Sequence, residues 1–199
     1  MLCEVRGPVI VCIVGHGPSL QGAKKGESID SHDVVVRLKG CKPLLEKHPE
    51  DYGQVVNALC MTTEVPGLVF DLIAGCYCFY PKNGNYDAVM TFEAVAQRGA
   101  PFMIPLLLCN RWNEEFRKLN PSHPNVSTGM AAIIIAAHYY EPEKISLAGF
   151  DTLLNPESEF TRHPDVPRTG TGPFVHDWKT ENLLLEKIRS TYKCRIEPL

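Results

Sequence analysis

Four short stretches of the 199-residue chain combine residue types that can hold or move charge. The first is Gly15-His16-Gly17-Pro18-Ser19-Leu20, directly after an apolar run. Two glycines let a backbone turn tightly and approach a ligand without Cβ obstruction, and the N–H groups of such a turn can face a phosphate. The pattern is neither G-x-x-x-x-G-K-[ST] nor G-x-G-x-x-G, so alone it reads equally well as an ordinary strand-to-helix turn. The second is Ile29-Asp30-Ser31-His32-Asp33-Val34-Val35-Val36-Arg37. Asp30 or Ser31 can tie down a turn through nearby N–H groups. Arg37 ends an apolar run and has the planar fork that grips a phosphate or carboxylate. An internal ion pair with Asp30 or Asp33 is the equal alternative.

The third stretch is Val126-Ser127-Thr128-Gly129-Met130, ahead of an Ala/Ile-rich segment. Hydroxyls at a helix N-terminus make an anion site, although simple capping also explains them. The fourth is His176-Asp177-Trp178-Lys179-Thr180-Glu181. A histidine at a loop–helix junction suits general-base work, since its ordinary pKa of about 6.5 lies near working pH; a plain surface histidine is the other reading. His32, His48, His123, His138 and His163 have no comparable setting.

The elements that must position these residues alternate between strand and helix. Val9–Val14 is continuously apolar and β-branched, as in a strand buried on both faces of a parallel sheet, and Asp33–Leu38 repeats that character. Val55–Cys60, Leu68–Ile73, Ala88–Met90 and Met103–Leu108 are weaker strand candidates. Ser127–Tyr140 has the length and content of a buried helix, capped by Ser127 or Thr128 and ended by Pro142. Lys144–Ala148 reads as a strand closed by Gly149, Thr180–Ser190 as an amphipathic helix with Leu183, Leu184 and Ile188 on one stripe, and Cys194–Ile196 as a last strand. The alternation predicts an α/β, doubly wound, mostly parallel sheet flanked by helices. Ligands bind such sheets beyond the carboxyl ends of the strands, at the switch point. The Pro/Gly-rich stretch Thr152–Phe174 predicts a long mobile loop, a lid over the site.

Length and 44% hydrophobic content fit one domain, residues 1–199. A net charge of −3 with no like-charge run excludes indiscriminate nucleic-acid or anionic-membrane binding. No apolar stretch is long enough to span a bilayer, and the first residues lack a basic n-region and a cleavage site, so the expectation is a cytoplasmic chain. The eight cysteines are dispersed, and Cys12, Cys60 and Cys109 sit in apolar runs where a thiol packs as a small hydrophobe. Cys76-x-Cys78 lacks zinc-knuckle spacing. Reduced thiols and no metal are expected.

Taken together and in order, the four stretches resemble the sialylmotifs of the eukaryotic-type sialyltransferases. Residues 15–37, GHGPSLQGAKKGESIDSHDVVVR, look like the large sialylmotif; Ser127-Thr128-Gly129-Met130 with the later ISLAGFD looks like the small one; His176 and Glu181 match the very small H-x4-E motif. The GxGPSL turn and the C-terminal stretch are also similar to compact bacterial sialyltransferases. The resemblance runs from Val9 to Leu199, with no signature between Lys42 and Asn125. It implies a Rossmann-like, GT-A-type variant fold and an inverting transfer of sialic acid from CMP-sialic acid to a glycan hydroxyl, without metal or cofactor. By the same likeness Gly15, His16, Gly17 and Ser19 would line the phosphate and cytidine side. Ser127, Thr128 and Gly129 would hold the donor's carboxylate and phosphate, and Gly149 and Phe150 would border the nucleotide. His176 would be the base, with Glu181 orienting it or capping its helix.

The chemistry is compatible. Displacement at an anomeric carbon needs a base for the acceptor hydroxyl and charge stabilisation on the leaving phosphate, and the chain has no D-x-D to hold an ion for the latter. The sequence departs from the family where donor contacts are made: His16 and Lys39 replace asparagines. The cysteine that usually ends the small-motif helix is absent at Tyr139-Tyr140-Glu141-Pro142, and with it the family's inter-motif disulfide. A metal-dependent pyrophosphokinase sharing the GxGPSL turn, and a transferase or binder of another nucleotide sugar, are the competing readings.

Overall fold

The computed structural model describes residues 8–62, 76–79, 102–103, 106–122, 126–155, 157, 163–166 and 177–199. Its strands are β1 (Ile10–Val14), β2 (Val34–Leu38), β3 (Ala58–Thr62), β4 (Cys76–Phe79), β5 (Phe102–Met103), β6 (Lys144–Ala148) and β7 (Arg195–Pro198). They form one seven-stranded sheet in the order β5-β4-β3-β2-β1-β6-β7. Every neighbouring pair is parallel. The chain walks outward from β1 to β5, then returns to lay β6 on the other side of β1. That reversal places the switch point between β1 and β6, where Val14 is level with Ala148.

The apolar runs that predict buried strands alternate between two cores. Val11, Ile13, Val34, Val36, Ile145 and Leu147 face one side; Cys12, Val14, Val35 and Ala148 face the other. The described helices are α1 (Gly26–Asp30), α2 (Lys42–Lys47), α3 (Pro49–Tyr52), α4 (Leu106–Leu119), α5 (Thr128–Tyr139), α6 (Asp151–Leu154) and α7 (Trp178–Tyr192). Residues of α4, α5, α6 and α7 fill the first core; Ile29, Leu44 and Tyr52 of α1, α2 and α3 fill the second. Helices on both faces make the sheet doubly wound, as the alternation predicts. Helix α5 is buried from Met130 through Ala137.

Several boundaries differ from expectation, each for a physical reason. The third strand begins at Ala58 rather than Val55, because Asn57 is used to enter it: its Oδ1 accepts the Val35 N–H at 2.8 Å. The run expected as a strand over Met103–Leu108 divides into β5 and the first turn of α4. A short apolar run does not distinguish strand from helix, and the decisive signal lies downstream, in Trp112 and Phe116, buried four residues apart. Leu183 is 60% exposed, and Leu185 takes its place beside Leu184 and Ile188 in the core. Thr152–Leu154, expected as loop, belong to α6. Strand β4 lies at Cys76–Phe79; the candidates Leu68–Ile73 and Ala88–Met90 lie outside the described residues. Cys12 and Cys60 are buried, as packing in apolar runs implies; Cys60 Sγ lies 3.5 Å from Thr128 O, and burial pushes Cys12 up to about 12. Among the described residues no helix is long and apolar enough to cross a membrane.

The polar cluster before β2 fastens strands together. Asp33 Oδ2 accepts the N–H of Ile10, the first residue of β1, at 2.8 Å. His32 meets Ser146 Oγ of β6 through Nε2 at 2.9 Å. Asp30 accepts the N–H groups of Gln54 at 2.7 Å and Val55 at 3.0 Å, on the approach to β3. Arg37 does not open onto the crevice. It is 1% exposed and donates to Val55 O at 2.9 Å, to Tyr52 O at 2.5 Å and to Asp30 Oδ1 at 3.2 Å. Of the two readings its position allowed, the internal ion pair is the one formed. A buried guanidinium with this many partners leaves them unsatisfied when removed. Arg37→Met is therefore expected to lower unfolding free energy by about 3 kcal/mol in urea titrations; a loss within error of zero would mean the network carries no stability.

Candidate functional site

The first residues to place are the glycines after β1. Gly15 N–H donates to Ala148 O at 2.7 Å and Gly17 N–H to Gly149 O at 2.9 Å, so the β1–β6 ladder continues past the strand ends. A Cβ on Gly15 would lie 2.4 Å from Gly149 O, and one on Gly17 2.7 Å from the same oxygen. Glycine is required here by the protein's own backbone. Gly149 itself has φ +68°, which other residues adopt only with strain. Ser19 follows in a short 3-10 turn, Pro18–Leu20. Its N–H donates to Asp151 Oδ2 at 3.0 Å, and its hydroxyl donates to Asp151 Oδ1.

These bonds change what the turn can do. The Gly15, Gly17 and Ser19 amides, which the sequence offers to a phosphate, are engaged within the protein. Asp151 was not among the expected site residues, yet it anchors the turn. An aspartate directly after a Gly-Phe at a strand end, facing a glycine turn, is the signal that could have found it.

Phe150 links this turn to the third stretch. Its ring lies against both Gly15 and Gly129: a Cβ on Gly15 would come within 3.1 Å of Cδ2, and one on Gly129 within 2.8 Å of Cε1. The glycine turn, the Gly149-Phe150 turn and the start of α5 thus meet around one aromatic ring. At that helix start Ser127 is the N-cap, its Oγ accepting the Met130 N–H at 3.1 Å. The N–H groups of Thr128 and Gly129 fall in the first turn, where a helix offers no acceptors of its own. Lys39, just beyond β2, is half-buried and donates its backbone N–H to Cys60 O at 2.9 Å.

Glu181 joins the fourth stretch to the third. It is 1% exposed on α7 and accepts the Ser127 N–H at 2.6 Å through Oε1 and the Ser127 hydroxyl at 2.7 Å through Oε2. Asp177, rather than Glu181, caps α7, accepting the Thr180 N–H at 3.1 Å. His176 lies outside the described residues, as does most of the stretch expected as a lid. Burial is the main reason the Glu181 carboxyl is pushed up to about 7, against the pull of its two bonds from Ser127 and with a further push from Asp177. The proton matters to Ser127. An ionised Glu181 takes the serine's proton as a hydrogen bond, whereas a protonated Glu181 can donate to Oγ and release the serine hydroxyl toward a ligand. Beside the turn, Ser19, Lys25, Phe150, Asp151, Leu154 and Leu199 border a cleft of about 300 Å³.

The raised carboxyl has a signed consequence. An unfolded glutamate ionises near 4.5 while the folded one keeps its proton to about 7. Folding takes up a proton between those values, so this group's contribution to stability falls as pH rises through the window. Glu181→Gln keeps an acceptor for the Ser127 N–H and cannot ionise. Its unfolding free energy is expected to decline less steeply than wild type from pH 4.5 to 7; identical slopes in urea titrations would mean that Glu181 does not titrate there.

No family model matches the sequence. No curated protein matches it either. Comparison of folds gives a clear likeness. One mammalian sialyltransferase superposes with a TM-score of 0.65 at 21% identity, over 95% of this chain and 68% of its own. A second, solved in complex with Gal-beta-1-3GalNAc-ortho-nitrophenol, gives 0.61 at 18% identity, over 95% of this chain and 69% of its own. In its parallel α/β sheet the chain is similar in fold to these two mammalian sialyltransferases.

Proposed function

We propose that the chain is a glycosyltransferase that moves sialic acid from CMP-sialic acid to a glycan hydroxyl, inverting the anomeric centre and using no metal in the transfer. The observation that carries this reading is the meeting of two of the four stretches, the glycine turn and the start of α5, around Phe150, with a third joined to them through the Glu181–Ser127 bonds, at the switch point of a sheet shared with sialyltransferases. Such a rim is where a doubly wound sheet takes its ligand.

Within that reading the donor's charged groups lie against the first turn of α5. Thr128 and Gly129 supply N–H groups and Ser127 a hydroxyl, aided by the positive end of the helix dipole. Phe150 and the backbone of His16 border the nucleotide, while Gly15, Gly17 and Asp151 hold the turn's shape rather than bind. As the anomeric bond to phosphate breaks, negative charge grows on the leaving nucleotide, and prearranged donors stabilise it without reorganising. His176 takes the proton of the attacking hydroxyl. Glu181 is a positioning residue that acts through Ser127.

CMP is expected to raise the melting temperature, since a ligand bound only by the folded state stabilises it by mass action. The rise should persist in EDTA and exceed that with UMP or GMP. Stabilisation by ATP that needs magnesium would favour a pyrophosphokinase instead. A response to another nucleotide alone would favour a different donor, to which His16 and Lys39, in place of the family asparagines, already point. His176→Ala should lower transfer at least about 100-fold with the CMP response intact; undiminished turnover would remove His176 from the base role.

A further inference from the structure

A second cluster of titratable groups lies behind the glycine turn, among residues that the proposed transfer does not use. His48 sits at the junction of α2 and α3; His163 and Asp165 lie in the short described segment 163–166. His48 Nε2 and Asp165 Oδ2 are 2.8 Å apart. The two imidazoles are tilted against each other with centroids 4.7 Å apart. One ligand atom from each of the three residues lies within 4.8 Å of the others. His163 is only 2% exposed, and among the described residues its Nε2 has no hydrogen-bond partner. A buried ring nitrogen left unpaired loses its hydration with nothing in return, so a native site of this kind calls for an occupant.

The geometry points to a divalent-cation site, with His48, His163 and Asp165 as ligands and a borderline ion such as zinc as the fit. Two imidazoles and one carboxylate are a donor set for zinc rather than for magnesium or calcium, which prefer oxygen alone. Metal–ligand bonds of about 2.0–2.2 Å place tetrahedral ligand atoms about 3.4 Å apart. The 2.8 Å separation between His48 and Asp165 therefore opens slightly, and the others, all within 4.8 Å, close by at most about 1.4 Å. The hydrogen bond between His48 Nε2 and Asp165 Oδ2 breaks as the ion enters, and the Nε2 proton moves to Nδ1 of the same ring or, from an imidazolium, to solvent. Ligation by His163 Nε2 moves the ring proton to Nδ1, which gives up the long 3.2 Å bond it accepts from the Asp165 N–H. Burial, with His48 nearby, lowers the His163 pKa and favours the neutral ring that ligation needs.

The surrounding charges are mixed. Lys47 Nζ lies 3.3 Å from Asp165 Oδ1, but the lysine is exposed and free to swing outward as the ion takes its place. Asp51, buried nearby, stays ionised: burial pushes it up, and the N–H groups of Gly22 and Lys24, at 2.7 and 2.9 Å, outweigh that push. The ion's role is that of a clamp. His163 N–H donates to His16 O at 2.9 Å, and Tyr52, whose ring meets His163 edge-on, donates its hydroxyl to Gly17 O at 3.2 Å. An ion here fixes segment 163–166 to α2 and α3 and braces the glycine turn from behind.

The test uses the full chain, stripped with a chelator and titrated with zinc and, separately, with cobalt(II). Expected are about one tightly bound equivalent, a rise in melting temperature, and visible cobalt bands without thiolate charge transfer, since the chain's eight cysteines are the competing ligands. His48→Gln and Asp165→Asn should each weaken uptake at least about tenfold while leaving the far-UV circular dichroism unchanged. No uptake, a thiolate spectrum, or uptake unaffected by either substitution would overturn the site. The stripped protein's response to CMP reads the proposed transfer separately, so either inference can fail without the other.

Discussion

The turn after β1 and the turn after β6 touch backbone to backbone, with the Gly15 and Gly17 amides donating to the Ala148 and Gly149 carbonyls. That contact sets the carboxyl rim of the sheet. It requires glycine at positions 15 and 17 because any Cβ would fall on the Gly149 carbonyl, and at position 149 because of its left-handed backbone. With the two turns locked, Asp151 is placed to hold Ser19, and the Phe150 ring is placed where only another glycine, Gly129, lets α5 come close. The order of dependence runs from backbone contact to aromatic ring to helix start.

This arrangement moves the duty of binding an anion. Amides that pair across the switch point cannot also face a phosphate, because each N–H donates well to one acceptor. N–H groups of the first turn of α5 also lie at the rim, where the helix dipole already favours negative charge. The N-cap of that helix is in turn held by Glu181, a buried carboxyl whose proton decides which way the Ser127 hydroxyl points. Burial raises the carboxyl's pKa and the two serine bonds lower it, and burial wins. The start of α5 is therefore tied to α7, the helix that follows His176 in the chain.

Much of the fold was legible because it rests on apolar patterning. Strands β1, β2 and β6 and helix α5 have continuous burial, and their sequences carry it openly. What was not legible depends on partners far away in sequence. Leu183 and Leu185 are equivalent by composition, and only the packing of α7 against the first core decides that Leu185 is inside. The division of the Met103–Leu108 run between β5 and α4 depends on where Trp112 and Phe116 find their core. At the candidate site, the glycines and the Ser127 cap were visible as motifs, but a motif does not say whether an amide faces a ligand or its own chain. Asp151 stood within the ISLAGFD stretch but showed its role only once the glycine turn was seen to face it, and the pairing of His48 with residues more than a hundred positions later left no local signature at all.

The stretch from Gly15 to Arg37 shows how one sequence motif can serve two physical tasks. Its glycine end lies at the rim where β1 meets β6. Its Asp30-Ser31-His32-Asp33 end lies where the chain enters β2, and there each of Asp30, His32 and Asp33 bonds to a different strand or strand approach: β3, β6 and β1. Arg37 then closes a loop within the same network by reaching Asp30. None of these four side chains needs a ligand to explain its type. A motif of this length would be costly to alter for reasons of sheet assembly alone, since each bond crosses between elements that sequence separates. The specificity of the motif is thus evidence first for the sheet, and for the site only through the glycine turn that the sheet holds in place.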